Sequence, residues 1–259
     1  MAERRGARAR PAGGSGGTTR VFGLHATRAV LAARPAAVTR VHVLEGAHGG
    51  TLSALASTAE SLGLVVERRS RATLDGLADQ GTHQGVVIEV QPLTPLSLTE
   101  FEELVAARIE HLRVLVLDQV ADPRNLGACL RSAAAAGVDA VVVPKDRAAP
   151  LSPAAFKAAA GATELVPLVR VTNLARTLRL LSAAGVWLAG ADAQAPLGLY
   201  EARLSVPLAL VLGSEGAGLR RLTRECCDEL FSIPMRGGIE SLNVSVTAGI
   251  VLFESLRRD

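Results

Sequence analysis

Aromatic side chains make up only 3% of this sequence, with a single tryptophan and a single tyrosine. A core must therefore be assembled from Ala, Val and Leu rather than around large rings. Cysteine is equally scarce: Cys129, Cys226 and Cys227 are odd in number and lack ligand-like spacing. That excludes a disulfide framework, argues against a cysteine-based zinc site and makes a reducing, cytoplasmic compartment the expectation. The histidines His25, His42, His48, His83 and His111 include no pair at metal-ligand spacing, so no metal is expected. No window holds about 18 uninterrupted apolar residues, which leaves no candidate transmembrane helix and no membrane partner. The first 20 residues carry arginine but no apolar segment, so they do not read as a secretory signal.

What is present is apolar bulk and an uneven charge. Hydrophobic residues make up 49% of the 259 residues. That excludes a wholly disordered chain and allows one large domain or two modest ones. Residues 1–20 hold five arginines against one glutamate, while the whole chain carries only +3, so the remainder sums to −1. The positive balance lies in the tail. A basic Gly/Ser-rich arm suits phosphate by counterion replacement; a solvated tail with no partner fits the same composition.

The chain divides by pattern. Residues 1–19 read as a disordered basic tail. Residues 20–91 read as a small α/β unit, with helices over Thr27–Ala33, Leu52–Leu62 and Arg71–Leu77 and strands over Val41–Leu44, Leu64–Val66 and Gly85–Val90. Pro92 and Pro95 mark a linker. Thr99, with Glu102 and Glu103 behind it, marks the start of a helix reaching about His111, so 92–110 is linker and helix. From 111 to 259, apolar strand signals alternate with helical ones. The strands are Val114–Leu117, Ala140–Val143, Leu165–Val169, Val186–Ala189, Leu208–Leu212 and Glu229–Ile233. The helices are Leu126–Ala136, Pro153–Ala160, Leu174–Ala184 and Val244–Leu256. This alternation implies a parallel sheet covered on both faces.

Parallel sheets of this kind bind ligands beyond the carboxyl ends of their strands. Three of those loops carry candidate chemistry. After Leu117, Asp122 or Asn125 can cap the next helix, and Asn125 and Arg131 are six residues apart, which would place them at one helix end beside an anionic group. After Leu212, Gly213, Gly216 and Gly218 allow close backbone approach to a ligand. The loop matches neither a Walker sequence nor a GxGxxG fingerprint. Glu215 within it would repel phosphate and suits an amino, guanidinium or sulfonium group. After Ile233, a glycine pair at Gly237 and Gly238 precedes Ser241, Asn243 and Ser245, any of which can start the last helix. Each loop taken singly is also explained by ordinary turns and caps. Cys129 fits a core position in an apolar helix, and Ser214 is not in a GxSxG elbow.

Together the three loops resemble the three motifs of the SpoU (TrmH) family of RNA ribose 2′-O-methyltransferases, in the SPOUT superfamily. The matching stretches are DPRNLGACLRSAAAAGVDAVVVPKD, LVLGSEGAGLRRL and IPMRGGIESLNVSVTAGIVLFE. Residues 21–90 resemble the small substrate-binding domain that precedes the catalytic domain in the ribosomal-RNA branch, which modifies a guanosine of large-subunit ribosomal RNA. The resemblance implies a trefoil-knotted parallel sheet over 111–259 with helices on both faces, preceded by that small α/β domain. It implies S-adenosylmethionine as methyl donor, RNA as partner, and a homodimer whose active sites draw on both subunits. Asn125, Arg131, Glu215, Ser241 and Asn243 take the catalytic positions, and Gly213, Ile233 and Leu242 the donor-binding ones. Alternatives within the class are a transfer-RNA ribose methylase and an antibiotic-resistance methylase of ribosomal RNA. The alternative outside it is a catalytically silent RNA-binding assembly protein.

Overall fold

A computed structural model describes residues 18–46 and 50–259. The expected tail, up to residue 17, and His48 lie outside the described residues. Two sheets organise the chain.

The first is mixed, in the order β1 (Thr19–Phe22), β4 (Val86–Val90), β2 (Val38–Leu44), β3 (Val66–Arg69). β4 runs antiparallel to both neighbours, and β2 and β3 are parallel. Helices α1 (Leu24–Ala33) and α2 (Gly50–Ser61) bury Val30, Leu31, Leu55 and Ala59 against Val41, Val43, Val86 and Ile88. On the opposite face α3 (Arg71–Leu77) seats Leu74 on Val87.

Three sequence expectations need correction here. β1 was not expected, because its apolar content is short; its ladder with β4 creates it. The strand expected at Leu64–Val66 lies instead at Val66–Arg69. It is an edge strand, and pairing of Val41 with Val66 through Leu44 with Arg69 selects the register despite three charged residues. The helix after the linker, α4 (Leu98–Arg108), is capped by Ser97 rather than begun at Thr99. Ser97 Oγ accepts from the Glu100 N–H while Glu100 accepts from the Ser97 N–H, a reciprocal capping box.

The second sheet has six strands, all parallel, in the order β10 (Glu229–Phe231), β8 (Trp187–Ala191), β9 (Leu208–Leu212), β5 (Arg113–Leu117), β6 (Ala140–Pro144), β7 (Leu168–Val171). The period of two along each strand serves two cores. Leu115, Leu117, Val141, Val143, Leu210 and Leu212 point to one face, where α5 (Pro123–Ala135), α6 (Pro153–Ala159) and α9 (Val244–Arg257) cover them. Val114, Val116, Ala140, Val142, Ala209 and Val211 point to the other, under α4 and α7 (Leu174–Ala183). Burial on both faces is why these strands read as unbroken apolar runs. Two strands are displaced from their expected positions. β7 starts at Leu168, not Leu165, which is 66% exposed behind the 3-10 turn Ala162–Glu164. β10 ends at Phe231, two residues early. A short helix not expected from sequence, α8 (Arg221–Glu225), follows the glycine loop.

The two sheets are joined by direct packing. Phe156 of α6 belongs to the core of the first sheet. A Cβ on Gly161 would come within 2.6 Å of the Ala29 Cβ in α1, and Arg34 pairs with the buried carboxylate of Glu164.

Candidate active site

All six strands of the second sheet point the same way, so their carboxyl ends share one edge. Three neighbours, β10, β8 and β9, end together there. The turns leaving them, at Ala191–Asp192, Leu212–Gly213 and Phe231–Ile233, form the floor of a cleft of about 720 Å³. The segment from Pro234 to Leu242 forms its open side.

The glycine loop after β9 folds back on itself. The Ser214 N–H donates to the Gly218 carbonyl and the Gly218 N–H to the Ser214 carbonyl, at 3.2 and 2.9 Å. A Cβ on Gly213 would stand 2.1 Å from the Gly218 carbonyl carbon, so only glycine permits this closure. The closed loop carries Glu215 to the start of α9. There Glu215 Oε1 accepts from Asn125 Nδ2 at 2.8 Å, from Asn243 Nδ2 at 2.7 Å and from the Val244 N–H at 3.3 Å. Asn243 Nδ2 also donates to Asn125 Oδ1 at 3.0 Å. Its own Oδ1 caps α9, accepting from the Ser245 N–H and hydroxyl at 2.9 and 2.6 Å. Residues 118 positions apart thus close a three-membered polar ring at the rim of the cleft. A carboxylate at a helix N-terminus is favoured by the unpaired amides there.

Of the residues singled out from sequence, Asn125, Glu215 and Asn243 are in mutual contact. Gly213, Ile233, Ser241 and Leu242 line the cleft beside them. Asp122, rather than Asn125, caps α5, accepting from the Arg124 N–H at 2.8 Å. Arg131 stands apart. It is the ninth residue of α5, so it does not share an end with Asn125 as expected. Six residues are about 9 Å of rise and about 240° of rotation, which puts the two side chains on different faces. Arg131 is exposed on the surface of α5.

The cleft is acidic. Asp192, Glu215 and Glu240 line it, and among the described residues no lysine or arginine does. Asp192 is itself paired with Arg224, which leaves Glu215 and Glu240 as the charges with no ion pair among the described residues. Behind the ring, burial pushes the Cys129 thiol up to about 12, and the charge of Glu215 adds to the rise. That thiol stays protonated and is a core residue, not a nucleophile. Sequence reasoning missed Asp192, Gln194 and Thr247, which also line the cleft. The first two follow β8, and the carboxyl-end rule alone could have found them. Thr247 sits one helical turn inside α9 and gave no signal. Among the described residues no group of three His, Cys, Asp or Glu side chains could hold a metal ion, and no helix is long and apolar enough to cross a membrane.

The sheet that carries this cleft lies within the stretch whose match places the chain in the SpoU rRNA methylase family, a family of methyltransferases. Residues 112–253 match the SpoU rRNA Methylase family, and residues 20–96 match the family described as RNA 2′-O ribose methyltransferase substrate binding. More particularly, the chain is 48% identical over 238 residues to the 23S rRNA (guanosine-2′-O-)-methyltransferase RlmB of Photorhabdus laumondii, covering 92% of this chain and 97% of that one. The RlmB of Escherichia coli K12 is also 48% identical over 238 residues, covering 92% and 98%. Among solved structures, the AdoMet-bound rRNA methyltransferase from Sinorhizobium meliloti superposes with a TM-score of 0.74 at 25% identity, covering 93% of this chain and 87% of that one.

Proposed function

We propose that this protein transfers a methyl group from S-adenosylmethionine to the ribose 2′-oxygen of a guanosine in 23S ribosomal RNA. The observation that carries this reading is the ring of Asn125, Glu215 and Asn243 beside an acidic cleft that, among the described residues, no basic side chain lines. Such a cleft fits a sulfonium and an ammonium and repels a nucleotide phosphate. Gly213 admits close backbone approach, and Ile233, Leu242 and Phe231 offer an apolar wall to an adenine. The bound donor would supply an electrophilic methyl group.

The protein's own part is orientation and charge placement. A ribose hydroxyl is a very weak acid, so alignment with the methyl group and stabilisation of the developing alkoxide are the two needs. The ring locks the loops after β5 and β9 to the start of α9, which holds the cleft rim in one geometry. Arg131, always protonated, clamps the nucleotide phosphate and stabilises the alkoxide; it does not take the hydroxyl proton, which passes to solvent as the methyl group leaves the donor's sulfur for the ribose oxygen.

The position of Arg131 away from Glu215 supports a homodimer in which it serves the partner's cleft. The apolar residues Val246, Ile250 and Phe253 fall at i, i+4 and i+7 on α9, and Val246 and Phe253 are 49% and 53% exposed. A stripe of that kind suits burial against a second copy. Residues 20–91 act as the RNA-binding unit, 92–110 as linker and helix, and 111–259 as the knotted catalytic unit. The passage of the chain after β10 alongside Leu197–Leu199, before it enters α9, supports the knotted path. The compartment is the cytoplasm, where ribosomal RNA is made.

Mapping ribose methylation on total RNA with and without the gene tests the reading. Loss of a mark at one guanosine of 23S rRNA is expected; an unchanged map overturns it.

A further inference from the structure

Resting on the methyl-transfer reading above, one residue outside the cleft governs its geometry. Asp118, immediately after β5, is a carboxylate with no solvent exposure. Its N–H donates to the Leu212 carbonyl at 2.7 Å. Its carboxylate accepts from the Arg220 N–H at 3.1 Å and from Arg220 Nε at 2.7 Å, and the second guanidinium nitrogen, Nη2, lies 2.6 Å away. Leu212 is the last residue before the glycine loop and Arg220 the first after Leu219. A single residue therefore holds both ends of the loop that carries Glu215.

The same residue begins the segment that leads to Asn125. Gln119 takes a left-handed turn at φ 65°, the Val120 carbonyl is held by the Ala149 N–H at 2.8 Å, and Asp122 starts α5. Asn125 and Glu215 meet at 2.8 Å because both segments are anchored at one point. A buried carboxylate is costly unless paired and hydrogen-bonded, and among the described residues this one is satisfied by Arg220 alone. It does not line the cleft.

We infer that Asp118 is a positioning residue for methyl transfer, which with Arg220 sets the placement of Glu215 against Asn125. The test uses the full chain and compares Asp118→Asn and Arg220→Gln with the native protein. Each lowers kcat by about ten- to hundredfold, as small misplacements do, with the KM for RNA within about twofold. The double variant is no slower than the worse single one, because the two side chains act as a unit. In a Glu215→Gln background, Asp118→Asn changes kcat by less than about twofold while still lowering the melting temperature. A kcat for both variants within about twofold of native, or a full multiplicative loss in the Glu215→Gln background, overturns the inference. If Asp118→Asn does not fold, Arg220→Lys carries the same comparison, since it keeps a positive charge beside the buried carboxylate while losing the Nε and Nη2 fork that fixes the loop. Native protein with no methyl transfer is a different outcome and counts against the function itself.

Discussion

Asn243 performs two tasks with opposite ends of one amide. Its oxygen caps α9, while its nitrogen ties Glu215 to Asn125. Serine keeps a capping oxygen and removes the amide nitrogen that reaches Glu215 and Asn125. Asn243→Ser is therefore expected to stay within about 1 kcal/mol of native stability in chemical denaturation. Its methyl transfer should fall by about a hundredfold, and equal losses of stability and rate would count against the division of labour. Gly213 is constrained by space rather than chemistry. Gly213→Ala forces the loop open and should abolish measurable donor binding by calorimetry, with the fold retained. Arg131→Ala should leave the melting temperature unchanged, because the side chain is solvent-exposed, and should still abolish turnover. Only the residue types of these positions were readable in sequence. Their grouping was readable through resemblance to a family, and the contact of Asn125 with Glu215 spans 90 positions that no local pattern links.

At the level of elements, α5 is held tightly against α6. Its Gly127 faces α6 so closely that a Cβ would lie 2.3 Å from the Ala155 carbonyl oxygen. Gly127→Ala should cost about 1–3 kcal/mol, as overpacking does, measured by denaturant unfolding. The partner helix α9 has one face buried on the sheet and α5 and a second apolar stripe outside. Phe253→Glu places a charge in that stripe. A monomer by light scattering, with lost activity and a native circular dichroism spectrum, is expected; an unchanged oligomeric state would remove the dimer proposal. Near its end, hydrogen bonds from Arg257, joined by Arg258, hold the Glu254 carboxyl down at about 2, below its ordinary 4.5. A depressed carboxylate stabilises the fold fully above pH 4.5 and loses that contribution as pH falls toward 2. Glu254→Gln should flatten the melting temperature against pH across that window.

On the scale of the whole molecule, the two sheets are coupled through a small interface. Glu164 has a side chain only 1% exposed and pairs with Arg34, itself 27% exposed. Breaking such a pair leaves one charge poorly compensated. Glu164→Ala should cost about 2 kcal/mol, less than a fully buried pair because Arg34 keeps some water. Scanning calorimetry should show the single transition split in two. Retained activity on short RNA with weakened binding of long RNA would follow if the first unit only recruits substrate.

Sequence by itself determined most of what is periodic. The unbroken apolar runs of β5, β6 and β9 follow from burial on both faces, and the small polar residues at the starts of α5 and α9 follow from capping chemistry, though Asp122 and Asn243 were singled out as the caps only by the structure. Local pattern failed where pairing partners choose the structure, as in β1, the charged edge strand β3 and the shifted β7. Only the tertiary structure decided that Thr247 reaches the cleft and that Asp118 anchors two loops. The reason is physical: a helix or a strand buried on both faces is written in neighbours a few residues away, whereas an edge strand is selected by its pairing partner and a site by which strand ends the sheet order places side by side.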